Sequence, residues 1–374
     1  MLKGINLTLM MGPAIPIPAP KVVVEALTSV QVTNSKDRGG FQLTFTVGKD
    51  SPLLTMLLPA GYFDAISTRV MIIATLNGFP NVLMDGLVTN QEFAPSNEAG
   101  KSTLTITGED LSVAMDLIEK IIPYPALPTN VKILACLGPY AALGIIPVVI
   151  PPLVTLKSPT EGWETQRMTD RAYIKSEATK AGFTFFIQPG PLPGQNVAYF
   201  GPDANLPIPQ SAVSINLDGA SNVESLSFSH NGMAKSIKVF TILDPITKKI
   251  TIPVPIPNIV SPFKPPLGLK LTPPTKLEYA TQNAQQTIAE AAQEVLSFLT
   301  NSPPSVSANG SLDVMRYKGI LRARMLVGVR GAGITYDGLY YVDSVTHNIK
   351  KGEYKQSFTL SRDGLISNTP LLPV

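Results

Sequence analysis

Chemistry in this 374-residue chain would have to come from very few side chains. Glu109-Asp110 and the pair Glu161 and Glu164 are the only carboxylate groupings that could supply the acid and base, or acid and nucleophile, of glycoside hydrolysis. Trp163 lies between the second pair and could stack on a sugar ring. The chain has two histidines. His230 sits in the turn signal Ser229-His230-Asn231-Gly232 and reads as a surface or capping residue. His347 falls within a β-rich run and reads as structural. Cys136 is the only cysteine and has apolar neighbours, so it reads as a buried thiol without a disulfide partner. No Cys/His spacing suits zinc, and no phosphate loop, Gly-x-Ser-x-Gly elbow or calcium loop is present. Helix-start and solvated-loop roles account for the carboxylates more simply than catalysis. We therefore expect no catalytic residue, no cofactor site and no metal site.

The elements that would position these groups are mostly strands. Phe41, Leu43, Phe45 and Val47 alternate with polar residues, as in a strand with one buried face. Near the end of the chain, the runs 339–348 and 353–362 flank Lys350-Lys351-Gly352, a hairpin signal. Val82–Asn90 with 101–111 forms a similar pair. Val88-Thr89-Asn90 matches Val345-Thr346-His347, and Thr105-Ile106-Thr107 matches Thr359-Leu360-Ser361. This internal match predicts two related β-domains.

Helices are expected over Glu109–Lys120, Pro128–Gly144, Asp170–Ala181 and Leu277–Leu299, the third capped by Thr169 or Asp170 and closed by Gly182. The expected organisation is an extended arm (1–20), a first β-domain (21–124), an α+β insert (125–205) and a discontinuous second β-domain (206–244 and 312–374). A proline-rich linker plus helix (245–311) interrupts the latter.

Lys and Arg number 30 against 27 Asp and Glu, which gives no argument for nucleic-acid binding. Charged residues are only 15% of the chain, so partners are expected to cover much of its surface. No charge lies between Lys132 and Lys157, but Pro139, Pro147, Pro151 and Pro152 argue against a membrane span there. The first twelve residues lack the features of a signal peptide.

Several segments resemble the phage late control D family, the baseplate hub proteins of contractile tails and injection particles. They are Asp85-Gly86-Leu87-Val88-Thr89, the run Ser102–Ser112 followed by Met115-Asp116-Leu117 and Glu119-Lys120, and the closing block Gly338–Leu365. Thr169-Asp170 with Gly182-Phe183, the run Asn196–Pro202 and the proline linker add to the resemblance, which spans about residues 7–370. It implies a mainly β protein with two tube-type β-barrel domains that trimerises into a pseudo-sixfold ring. Such a hub matches a hexameric inner tube to a trimeric spike, lines the central channel and contacts other baseplate components. The chain ends at Val374 without an oligosaccharide-binding fold or β-helical repeats, so the spike is expected to be a separate polypeptide. Assembly would occur in the cytoplasm before the protein joins a virion or injection particle. A cell-wall hydrolase at the tip of such a particle is the alternative, and a pore protein built on 132–157 a third reading.

Overall fold

Alternation at residues 41–47 produces a strand whose apolar side, Phe41, Leu43, Phe45 and Val47, is buried. The computed structural model describes residues 4–369 apart from 14, 37, 99, 126, 153–163, 204–205, 244–250 and 281–287. Strand accounts for 52% and helix for 19%, which makes the protein mainly β.

The chain opens with β1 (Ile5–Pro13), the two-residue β2 (Ile17–Pro18), helix α1 (Lys21–Ala26), β3 (Leu27–Ser35), β4 (Gly39–Val47), β5 (Thr68–Leu76), β6 (Phe79–Ala94) and β7 (Ser102–Asp110). A middle stretch holds β8 (Glu119–Tyr124), α2 (Thr129–Leu137), β9 (Ile145–Val149), β10 (Glu164–Thr169), α3 (Asp170–Ala181), β11 (Phe183–Pro189) and β12 (Asn196–Pro202). Then come β13 (Leu206–Ser214), β14 (Val223–His230), β15 (Ser236–Leu243), β16 (Thr251–Pro257), β17 (Gly268–Leu271), β18 (Lys276–Tyr279) and α4 (Ile288–Thr300). The last segment comprises β19 (Val306–Asp313), α5 (Val314–Tyr317), β20 (Met325–Arg330), β21 (Gly338–Lys350), β22 (Glu353–Arg362) and β23 (Gly364–Ser367).

Thirteen strands share one sheet, in the path β14-β19-β22-β21-β3-β4-β7-β6-β5-β1-β2, with β20 on β21 and β13 on β20. Its centre is the antiparallel pair β21–β3, which runs from Ser344 opposite Ser35 to Lys350 opposite Ser29 and so joins the two ends of the chain. One apolar core lies beneath both sides of this join, including Val30, Leu43 and Phe45 from one and Val345, Phe358 and Leu360 from the other. Each such side chain contributes roughly 1.5–3 kcal/mol through burial. A second core, with Leu111, Ile133, Ile174 and Phe200, belongs to the middle stretch.

The expected barrels are not closed among the described residues, because the sheet path ends at β14 and at β2. A further three differences concern helices. Glu109–Lys120 is the end of β7, a 3-10 helix over Leu111–Asp116 and the start of β8; pairing of Lys120 with Met168 outweighs the apolar spacing that suggested a helix. Leu277–Leu299 divides into β18, which pairs in parallel with β15, and α4. Pro128–Gly144 is α2 followed by a 3-10 turn, closed by Gly144 at φ 79°. α3 forms as expected, with Thr169 Oγ1 accepting from Ala172 N at 3.2 Å and Gly182 at φ 66°. The proline-rich stretch contains β16 and β17, not only extended linker. The N-terminal arm is β1, paired with β5 of its own chain, with Leu9 and Met11 buried.

Glycine is needed where β6 and β7 approach: a Cβ at Gly86 would overlap the Glu109 carbonyl. His347 on β21 is buried, and its Nδ1 accepts from the Tyr354 hydroxyl at 2.7 Å with the Gln356 amide nitrogen at 3.2 Å. Burial, aided by the Arg322 charge, depresses its pKa from 6.5 to about 3. Above pH 6.5 the ring is neutral in both folded and unfolded chains; between 6.5 and 3 only the unfolded chain takes up the proton. Stability is therefore lost as pH falls through this window, at about 1.4 kcal/mol per pH unit, or about 2 kcal/mol by pH 5. Denaturation curves at pH 7 and pH 5 should show this loss, and His347→Gln should flatten it.

Candidate assembly surface

The carboxylates singled out in the sequence have structural partners. Glu109 is paired with Arg38 and, at 3.2 Å, with Arg171. Burial pushes its carboxyl up, but the two arginines outweigh it and hold the pKa below the usual range. Asp110 accepts from the backbone of Gly39 at 2.7 Å and Ser112 at 2.9 Å, capping the 3-10 helix. Glu164 is held by Lys132 and, at 3.5 Å, by Lys180; burial raises its pKa, but these partners bring it below the ordinary value. An acid kept ionised in this way is a poor proton donor. Glu161 and Trp163 lie outside the described residues. Burial also pushes the Cys136 thiol up; its Sγ is 3.3 Å from the Tyr124 hydroxyl, in a site that disfavours thiolate. His230 ends β14, its Nε2 3.0 Å from Thr272 Oγ1. Among the described residues no cluster of His, Cys, Asp and Glu could hold a metal, and no helix is long and apolar enough to cross a membrane. The segment from Lys132 is broken into α2, a 3-10 turn and β9.

What the structure leaves open are strand edges. Among the described residues β14 pairs only with β19. β6 carries β5 along one edge as far as Leu87, and its other edge pairs with β7 up to Ala94. Its first edge from Val88 to Ala94 therefore faces no strand among the described residues, and Phe93 there is 42% exposed. Neither open segment contains proline, so both keep the backbone donors needed to accept another strand. β16 differs. Pro253, Pro255 and Pro257 occupy alternate positions, so the residues whose N–H groups would point outward have none to offer. That edge is closed to strand addition.

The sheet face opposite the core has an unusual chemistry. Ser227, Asn309, Thr359, Ser344 and Ser35 stand in one row across five strands, and Ser225, Ser311, Ser357, Thr346 and Thr33 in the next. Gln31, Gln42, Thr107 and Asn90 continue the surface across β4, β7 and β6. None of these side chains is charged; Lys350, Glu353 and Lys355, and Glu92 on β6, stand on the same face beyond them. Several bond to one another: Ser225 and Ser311 hydroxyls at 2.8 Å, Thr33 and Thr346 at 3.2 Å, and Thr359 Oγ1 donating to Asn309 Oδ1 at 3.0 Å. The sequence displayed this alternation, but not that eight strands align it into one sheet face.

The arrangement is found elsewhere. A tail protein from Neisseria meningitidis MC58 matches 96% of this chain and 98% of its own length, with a TM-score of 0.61 at 12% identity. The 43 kDa tail protein of prophage MuSo2 from Shewanella oneidensis covers 96% of this chain and 100% of its own, with a TM-score of 0.60 at 13% identity. This chain shares its fold with phage tail proteins. A component of the Escherichia coli type VI secretion system, structurally similar to the T4 tail proteins gp27 and gp5, has a TM-score of 0.53 at 9% identity; 93% of this chain and 77% of that one align. No protein-family model matches the sequence, and no curated protein aligns with it significantly. The likeness is thus one of fold.

Proposed function

We propose that this protein is the structural hub of a contractile tail or injection particle: three copies form a ring that joins a hexameric inner tube to a trimeric spike and lines the channel between them. The observation that carries this reading is a repeated strand order. β1-β5-β6-β7-β4-β3 and β13-β20-β21-β22-β19-β14 place strands in the same chain sequence twice. Irregularities recur at corresponding places. β3 has its bulge between Leu27 and Ser29 and β14 between Val223 and Ser225. β6 has one between Val88 and Asn90, and β21 between Val342 and Ser344. Bulges are built features of a fold, so their recurrence supports a duplicated unit. Counting from them displaces the correspondence by three residues from the sequence match: Asn90 answers Ser344, not His347. The outermost strands differ, since β1 is antiparallel to β5 while β13 is parallel to β20.

Two like units per chain give six positions in a threefold ring, the condition for meeting a sixfold tube. In this reading, residues 21–124, with β1 added, form the first unit. The second combines 206–244 with 312–374 and takes in β19 from Val306. Residues 125–205 and the remainder of 245–311 are insertions. Partners would be the tube protein, a separate spike chain and other baseplate components, in a particle assembled in the cytoplasm. The hydrolase alternative is weakened by the ion pairs that keep Glu164 ionised. Native mass measurement tests the proposal: a species of three times 40.0 kDa is expected. A chain that stays single at every concentration overturns it.

A further inference from the structure

We propose that β14 of one copy adds to the open edge of β6 in the next, with Glu92 opposite Ser229 and Phe93 opposite Phe228 of the neighbour. The inference rests on the ring reading above and specifies its interface. Its template is the join within the chain, where β3 pairs with β21 along the edge that β21 leaves free beyond β20. In that join Ser344 is opposite Ser35, Thr346 opposite Thr33 and His347 opposite Val32.

The bulges transfer this register without adjustable choice. Thr89 is the bulged residue of β6 and Asp343 that of β21, so Asn90, Glu92 and Phe93 stand where Ser344, Thr346 and His347 do. Thr28 and Glu224 are the bulged residues of β3 and β14, so Phe228 and Ser229 stand where Val32 and Thr33 do. Substituting one set for the other sets Asn90 against Asn231, Gln91 against His230, Glu92 against Ser229, Phe93 against Phe228 and Ala94 against Ser227.

The chemistry of the two edges fits this pairing. No like charges meet, and each backbone keeps its donors. Phe93 occupies the position of the buried His347, yet in a single chain it is 42% exposed. The neighbour would cover it with Phe228, which already stacks on Tyr336 with ring centres 4.9 Å apart. An aromatic pair across antiparallel strands is favourable. Three other edges are poorer candidates: β16 is blocked by its prolines, β2 has two residues and β18 four.

The test is a cysteine pair in the full chain, Glu92→Cys with Ser229→Cys, both at exposed or partly exposed strand positions. Their in-chain counterparts, Thr346 and Thr33, have hydroxyls 3.2 Å apart, within reach of a disulfide. Mild oxidation should give covalent trimers as the largest product, because the ring closes, with linked pairs as the intermediate. Glu92→Cys with Ser225→Cys is four residues out of register, about 13 Å along the strand, and should not bridge. Phe93→Asp should leave the single chain folded and weaken assembly by about thirtyfold or more, the effect of losing an interface hot spot. If native mass shows a trimer but the first pair fails to bridge, or the second bridges faster, the register is wrong while the hub reading stands. If no trimer forms, both fall.

Discussion

Alanine at Asp85 should lower the free energy of unfolding by about 3–5 kcal/mol, because it strands a buried arginine charge. Asp85 and Arg69 are 1% and 4% exposed and meet diagonally across β6 and β5, Asp85 being opposite Met71 and Arg69 opposite Leu87. Arg69 donates twice, from Nε to Oδ1 and from Nη2 to Oδ2, both at 2.7 Å. The same Nη2 reaches the Leu143 carbonyl at 2.9 Å, and Asn196 donates to Asp85 Oδ2 at 2.8 Å. The pair thus ties the main sheet to the middle stretch through both β12 and the turn before β9. Removing both charges, as Arg69→Met with Asp85→Leu, should cost far less than the single change, since neither desolvated ion remains. Urea denaturation followed by circular dichroism measures both. A single-variant loss below 1 kcal/mol would show that water reaches the site.

Arg362→Met should destabilise by about 3 kcal/mol or more, as it removes three charge-assisted hydrogen bonds from buried and partly buried carbonyls. The guanidinium is fully buried and lies 4.4 Å from the centre of the Tyr340 ring. It donates to Gly364 O at 2.7 Å and to Asp337 O and Thr335 O, each at 2.9 Å. One fork therefore holds the turn before β21 against the start of β23. Burial lowers its pKa, but arginine stays protonated at any ordinary pH. Lysine should not rescue the site, because a single ammonium cannot span three carbonyls in different directions. Hydrogen exchange should accelerate first at Ile366, whose N–H bonds to Thr335 O at 3.0 Å. Unchanged exchange there would sink this account.

Strand content was legible because alternation is local: residues 41–47 and 353–362 fold as their side chains suggest. Bulges were not legible. One extra residue at Thr89 or Asp343 leaves composition unchanged but moves every later pairing, which a comparison of short strings cannot register. Helical spacing at Leu111, Met115 and Ile118 misled because β8 gains its ladder from β10, a partner distant in sequence. Prolines at 253, 255 and 257 suggested a linker, although alternate spacing is what an edge strand tolerates. The buried roles of Glu109 and Glu164 depend on Arg38, Arg171 and Lys132, which only the fold brings near. Open edges are defined by what fails to pair, and no single segment announces that.

The rows of serine, threonine, asparagine and glutamine across the sheet have a mechanical consequence. The rows themselves are uncharged, whereas Lys350, Glu353 and Lys355 on β21 and β22 and Glu92 on β6 stand beyond them, so the field that dissolved ions screen is confined to the borders of this face. Anything sliding over it would exchange weak, equivalent contacts with water and hydroxyls, without deep traps along the way. Resistance to such motion should therefore depend on size along the rows, and on ionic strength only where the charged borders are crossed.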